Sequence, residues 1–221
     1  VRLDGRPPPL SGPLGSAVGG LGVCAPLYAS AGSVVANPSV LLLGGGGCAL
    51  PPVLRRALGA TVTAVEPDDE VRSIACEYFD ASCELVGGCG AEAVAKAGDR
   101  SFDLVVVDAA DGTGAPPAAL STPAFFADVG RVLTEPAVLA VNVVARDAET
   151  LARVRDAAAC VGGELFECEL PAPLVAEGSP DFARLLFAVR GDAFPSLAGH
   201  HPLLAHVDEG EEWVRGFRGL V

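Results

Sequence analysis

The stretch "FDLVVVDAADGTGAPPAALSTPAFFADVGRVL", Phe102 to Leu133, decides how the chain is read. It opens on a largely apolar, β-branched run that ends at Asp108 and continues through a loop of Gly, Ala and Pro. Beyond the loop, Phe125, Val129, Val132 and Leu133 recur at helical spacing. A buried strand, a glycine-rich loop and an amphipathic helix in that order make one unit of a parallel sheet covered by helices. "AETLARVRDAAACV", Ala148 to Val161, repeats the helical spacing with Leu151, Val154 and Ala158.

Working outward, strands are predicted at 40–43, at 61–65 ("TVTAV"), at 83–86 ("CELV"), at 102–108 and at 137–144 ("AVLAVNVV"). Helices fit "PPVLRRAL" and "DDEVRSIACEYF" between the first three, and "PAFFADVGRVL" and "AETLARVRDAAACV" later. After the fifth unit the pattern changes. "ELFECEL" at 164–170 and "ARLLFAVRG" at 183–191 are joined by "PAPLVAEGSPDF" with no helix, which is most simply an antiparallel pair. The expectation is a doubly wound α/β domain over 40–191, with a seven-stranded, mostly parallel sheet whose last strand is antiparallel. Residues 1–39, rich in Gly, Pro, Ala and Ser, read as a strand and turn at "VRLDG" and a weak helix across "LGSAVGGLGVCAPLYAS". Residues 192–221 form a tail, loop-like until a short helix at "DEGEEWVRGF".

With 221 residues, half of them hydrophobic, the chain is long enough for one large core. Its net charge of -13 and pI near 4.5 oppose a phosphate backbone, so no nucleic-acid partner is expected. An acidic surface suits a cationic substrate or a lysine-rich protein partner, and equally a charge that only keeps the protein in solution. No apolar run reaches the roughly 18 residues of a membrane span. The chain starts at Val1 and holds no Met, which reads as a processed or incomplete product from which a targeting segment was removed. The seven Cys, at 24, 48, 76, 83, 89, 160 and 168, form no CxxC pair. They read as reduced thiols, mostly small and buried, in a soluble intracellular protein of the cytoplasm or an organelle interior. His200, His201 and His206 lie in a loop-like tail and read as surface histidines, so no metal is expected.

The residues with chemistry collect where strands end. "VLLLGGGGCALPP", Val40 to Pro52, runs a strand into Gly44, Gly45, Gly46 and Gly47 and then into prolines suited to a first helical turn. That is the form of a ligand-binding loop at a helix N-terminus, and also of a plain turn in a chain with 27 Gly. The second strand ends in "VEPDD", placing Glu66 at the same edge, about the 20 residues beyond a glycine loop at which an acid accepts ribose hydroxyls. The fourth strand brings Asp108, with Asp111 three residues on. A carboxylate there can hold an amine or take its proton while a neighbouring sulfonium carbon is attacked, or the two acids can merely cap a loop.

"VLLLGGGGCALPPVLRR", "VTAVEPDDEVRSIACEYF" and the 102–133 stretch together resemble the spermidine synthase superfamily, which holds aminopropyltransferases and related S-adenosylmethionine-dependent methyltransferases. "VRLDG" resembles the end of that family's N-terminal strand domain, and "AVNVVARD" is similar to the methyltransferase-like branch that modifies a translation elongation factor. The resemblance implies a Rossmann-like class I methyltransferase fold with S-adenosylmethionine as cofactor. It makes Gly44 to Gly47 the cofactor loop, Glu66 the ribose acid, Cys89 and Gly90 the adenine-reading position, and Asp108, with Asp111, the acids of the reaction crevice. The chain also departs from the family. It has Gly47 where spermidine synthases carry an acid, Cys48 and Ala49 where they carry glycines, and Cys89-Gly90 where Asp-Gly is usual. A thiol is a poor acceptor for an exocyclic amine. The polyamine grips are missing from "RPPPLSGPLGSAVGG". Aminopropyl transfer is therefore not expected. Methyl transfer to an amine, a protein amine included, is one expectation, and a catalytically inactive scaffold or subunit of a larger assembly is the other.

Overall fold

A computed structural model describes residues 35–79, 83–111, 115–145, 147–169, 182–191 and 217–220. Eight strands, β1 (Ser39–Leu43), β2 (Thr61–Glu66), β3 (Glu84–Gly87), β4 (Phe102–Val107), β5 (Leu133–Ala145), β6 (Glu164–Glu169), β7 (Phe182–Arg190) and β8 (Phe217–Leu220), join in one sheet in the order β3-β2-β1-β4-β5-β7-β6-β8. The first five are mutually parallel, and β7 runs antiparallel between β5 and β6. Five helices pack on the sheet: α1 (Leu50–Leu58), α2 (Asp69–Tyr78), α3 (Gly90–Lys96), α4 (Pro123–Val132) and α5 (Ala148–Ala158).

The continuous apolar runs of the central strands follow from burial on both faces. Because side chains alternate along a strand, one run feeds two cores. Leu41, Leu43, Val105, Val107, Leu139 and Val141 point to the side where Phe125, Phe126 and Val129 of α4 and Leu151 and Val154 of α5 pack. Val40, Leu42, Leu104, Val106, Val138 and Ala140 point the other way, onto Leu50 and Leu54 of α1 and Leu185 and Phe187 of β7. Each fully buried side chain of this kind contributes about 1.5–3 kcal/mol, so register is fixed wherever two buried strands meet: a one-residue slip would exchange the cores.

Helix ends follow local chemistry. Pro51 and Pro52 occupy the first turn of α1, and Gly59 ends it in the left-handed conformation, its N–H bonding the carbonyl of Arg55. Asp68 caps α2 by accepting from the backbone N–H groups of Glu70 and Val71. Thr122 and Asp147 do the same for α4 and α5, through Phe125 N and Thr150 N.

The predicted strands and the four predicted helices are present, and β6 and β7 pair antiparallel as expected. Three features differ from the sequence reading. The sheet has eight strands rather than seven, because β8 pairs antiparallel with β6. The short helix read over 208–217 lies outside the described residues but for Phe217, which opens β8. Helix α3 was not foreseen, since it is Ala-rich and buries only Val94, leaving no apolar period to detect. Finally, β5 starts at Leu133 directly after α4, four residues ahead of its expected start at 137. The strand and helix read in residues 1–34 lie outside the described residues. Among the described residues no helix is long and apolar enough to cross a membrane.

Phe126 is fully buried and meets Phe125 edge to face, with ring centroids 5.1 Å apart. Phe126→Ala is expected to lower the unfolding free energy by about 3–5 kcal/mol, seen as a lower urea midpoint at unchanged slope.

Candidate functional site

Strand order reverses between β1 and β4, whose following loops leave the sheet in opposite directions and open a crevice at the carboxyl edge. Backbone hydrogen bonds tie the loops of that edge together. The N–H groups of Gly44 and Gly45 both donate to the carbonyl of Val65, at 3.0 and 3.1 Å, and Asp108 N donates to Leu43 O at 2.9 Å. Gly44 has φ +97, and a Cβ there would collide with the carbonyl of Asp108 and the Cα of Ala109. Only glycine allows the loops after β1 and β4 to lie this close.

The Glu66 carboxylate turns toward the glycine loop. Its Oε2 accepts from Gly46 N at 2.9 Å and its Oε1 from Asp68 N at 3.2 Å. Arg72 of α2 donates through Nη1 to the carbonyl of Glu66 at 2.6 Å, pairs through Nη2 with Asp69, and lies across Gly87 at the end of β3. Beside Gly46, where a side chain would project, no described atom lies within 4 Å. Gly47 is exposed, with the Phe79 ring 3.9 Å from its would-be Cβ.

Asp108 lies deeper. Its Oδ1 accepts from Asn142 Nδ2 of β5 at 2.8 Å. Burial raises its pKa, against the pull of the Asn142 hydrogen bond. The amide oxygen of Asn142 is buried and has no hydrogen-bond partner among the described residues, an arrangement that marks a place for a donor.

The structure therefore brings Gly44, Gly45, Gly46, Glu66 and Asp108 onto one edge and connects them. Asp111, by contrast, is exposed, its N–H donating to Ala115 O at 2.8 Å. Cys89 is exposed at the start of α3 and makes no side-chain cap. Gly90 serves packing, because a Cβ there would lie 3.3 Å from Leu120 Cδ2 and 3.5 Å from Leu43 Cβ. The expectation that the cysteines are mostly buried is corrected. Of the five whose side chains are described, Cys76, Cys89 and Cys160 are exposed, Cys83 is half-buried and Cys48 alone is buried; all five are free. The exposed ones sit near helix ends and on outward faces, where a small side chain needs no burial. Among the described residues no group of three or more His, Cys, Asp or Glu is placed to hold a metal ion. The tail histidines lie outside them. Sequence reasoning passed over Arg72 and Asn142. Asn142 carried a signal nonetheless, as the one polar residue in "AVLAVNVV".

Gly44→Ala forces both a left-handed alanine and a clash with backbone. It is expected to cost at least roughly 1–3 kcal/mol, read from the thermal midpoint. The same substitution at Gly47, whose φ is not positive and whose surroundings are open, is expected to change stability by no more than about 0.5 kcal/mol.

No family model matches the chain. A polyamine aminopropyltransferase of Nitrosococcus oceani is 33% identical over 109 residues, covering 45% of this chain and 38% of that protein. Among solved structures, the spermidine synthase of Thermotoga maritima aligns with a TM-score of 0.62 at 21% identity, over 77% of this chain and 60% of that one. Human methyltransferase-like protein 13, in complex with SAH, aligns with a TM-score of 0.60 at 21% identity, over 92% of each chain. The chain thus spans less than two thirds of the curated relative and of the bacterial synthase. Part of the chain is thus similar in sequence to a polyamine aminopropyltransferase, and its fold is the Rossmann-like fold of class I methyltransferases.

Proposed function

We propose that the chain is a spermidine-synthase-like, S-adenosylmethionine-dependent methyltransferase acting on an amine, a protein amine included. One observation carries this reading: the Glu66 carboxylate is held against Gly46 N at 2.9 Å beside an open space over Gly46. An ionised carboxylate has about four acceptor sites. Backbone N–H groups occupy two, which leaves one on each oxygen for the two hydroxyls of a ribose. Gly44 to Gly47 offer backbone unobstructed by side chains, so the residues present fit an adenosyl group at its ribose. At the adenine end Cys89 stands where the resembled family carries an acid, so no strong acceptor for the exocyclic amine is present there.

When bound, S-adenosylmethionine would supply an electrophilic methyl carbon. The chain's own groups would handle the acceptor. The unpartnered oxygen of Asn142 accepts an N–H and orients the amine lone pair, and Asp108, whose raised pKa makes it the stronger base, takes the proton that the alkylated nitrogen must lose. The acidic surface, net charge -13, favours approach of a cationic acceptor.

A second reading, an inactive scaffold within a larger assembly, is favoured by Ile74, Tyr78, Phe79 and Val86, which are exposed apolar side chains on and beside α2 and β3. Calorimetric titration separates the two. S-adenosylhomocysteine is expected to bind the parent, and Glu66→Gln, which removes one acceptor oxygen, to bind about tenfold or more weakly, with a thermal midpoint lowered slightly because one of the two backbone N–H groups loses its acceptor. No heat at millimolar ligand would overturn the enzyme reading and leave the scaffold.

Asp108 gives a pH prediction. Its folded-state pKa lies above the unfolded value of about 3.9, so its contribution to stability is fully present below that value and is lost as pH rises through the window above it. Asp108→Asn escapes this loss. The variant is expected to melt above the parent at pH 7, with the difference closing as the pH falls below about 3.9, in parallel thermal scans.

A further inference from the structure

Arg72 reaches three elements at the carboxyl edge. From α2 its Nη1 donates to the carbonyl of Glu66, the last residue of β2, at 2.6 Å, and its Nη2 pairs with Asp69 in the first turn of the helix. Its own backbone N–H donates to Asp68 O at 3.0 Å. The guanidinium also covers Gly87, the last residue of β3, where a Cβ would lie 2.7 Å from both Cζ and Nη2. Glu66 and Gly87 are partners in the register of β2 and β3, so one planar group spans the ends of two strands. Asp69 is 91% exposed, and ion pairs to such groups contribute little. The contact that matters is the one to Glu66 O. The peptide joining Glu66 to Pro67 has no N–H, so its carbonyl is its only hydrogen-bonding group. One residue further on, Asp68 N returns to the Glu66 carboxylate, whose other oxygen holds Gly46 N. Rotation of that peptide plane would swing Asp68 N away from Oε1 and leave the carboxylate free to turn from the glycine loop.

We propose that Arg72 is a positioning residue of the crevice: it pins the Glu66 carbonyl, fixes the Glu66–Pro67 peptide plane and thereby aims the Glu66 carboxylate at Gly46. Gly87 belongs to the same device, because a Cβ there would push the guanidinium off the strand ends. Lysine could not replace arginine, since a single ammonium cannot bond Glu66 O and Asp69 while lying flat over Gly87. The aiming of Glu66 stands on these contacts alone, whereas its consequence for a ligand rests on the adenosyl reading.

Two variants reach the contact from opposite sides. Arg72→Met removes the donors and keeps an unbranched stem. Gly87→Ala keeps Arg72 and displaces its head; φ at residue 87 is not positive and the atoms met are the far end of a flexible side chain, so the fold tolerates it. Hydrogen exchange is followed on the full chain with no ligand. The amides of Gly46 and Asp68 are expected to exchange about tenfold faster in each variant, those of β1 and β4 to stay unchanged, and the double variant to match Arg72→Met. Unchanged exchange at residues 46 and 68, or equal acceleration through β1 and β4, overturns the positioning role; additive effects in the double variant overturn the part given to Gly87. S-adenosylhomocysteine titrations then read what the aiming does. If the parent binds, Arg72→Met is expected to bind about tenfold more weakly, but to lose nothing further in a Glu66→Gln background. An equal loss in that background overturns action through Glu66. If the parent does not bind, the adenosyl reading fails, and exchange at Gly46 and Asp68 still decides for or against Arg72.

Discussion

The site depends on the approach of two backbones that no side chain separates. The loops after β1 and β4 diverge from neighbouring parallel strands, and they touch where Gly44 lies against the carbonyl of Asp108. Burial of the two strands on both faces fixes their relative register, Leu43 opposite Val107, so the loops leave the sheet at the same height. Once that height is fixed, the positions of Val65, which receives two N–H groups of the loop, and of Glu66 follow from the pairing of β1 with β2. Positioning at this edge therefore derives from apolar packing well below it.

Legibility from sequence follows the same division. The apolar runs at 40–43 and 104–107 are continuous because both their faces are covered, and such runs can be read without an alignment. Helices α4 and α5 each bury a full stripe and were equally legible. Helix α3 was not, since one buried valine sets no period. Strand β8 was hidden for a different reason. Its four residues, Phe217 to Leu220, hold a Gly and an Arg, and they acquire strand character only from β6 beside them.

Residue type and strand position sufficed to place Glu66 and Asp108 at the carboxyl edge of the sheet, because carboxylates that close apolar strands are conspicuous. What could not be read was their environment. The Glu66 carboxylate is satisfied by backbone N–H groups while Asp108 is desolvated and bonded to Asn142, a distinction that arises from contacts between distant segments. Gly90 shows the converse. Its place after β3 draws it into a ligand-reading role, whereas its contacts with Leu43 and Leu120 account for it as a helix-packing residue.

Both outermost strands of the sheet, β3 and β8, are four residues long. Open rims of a sheet invite pairing with other chains, and brevity is one of the means by which proteins discourage it. By lying along β6, the β8 segment moves the rim from a six-residue strand to a shorter one. This closing segment therefore acts as a guard against intermolecular sheet growth, a protective duty separate from any chemistry in the crevice on the far side of β5.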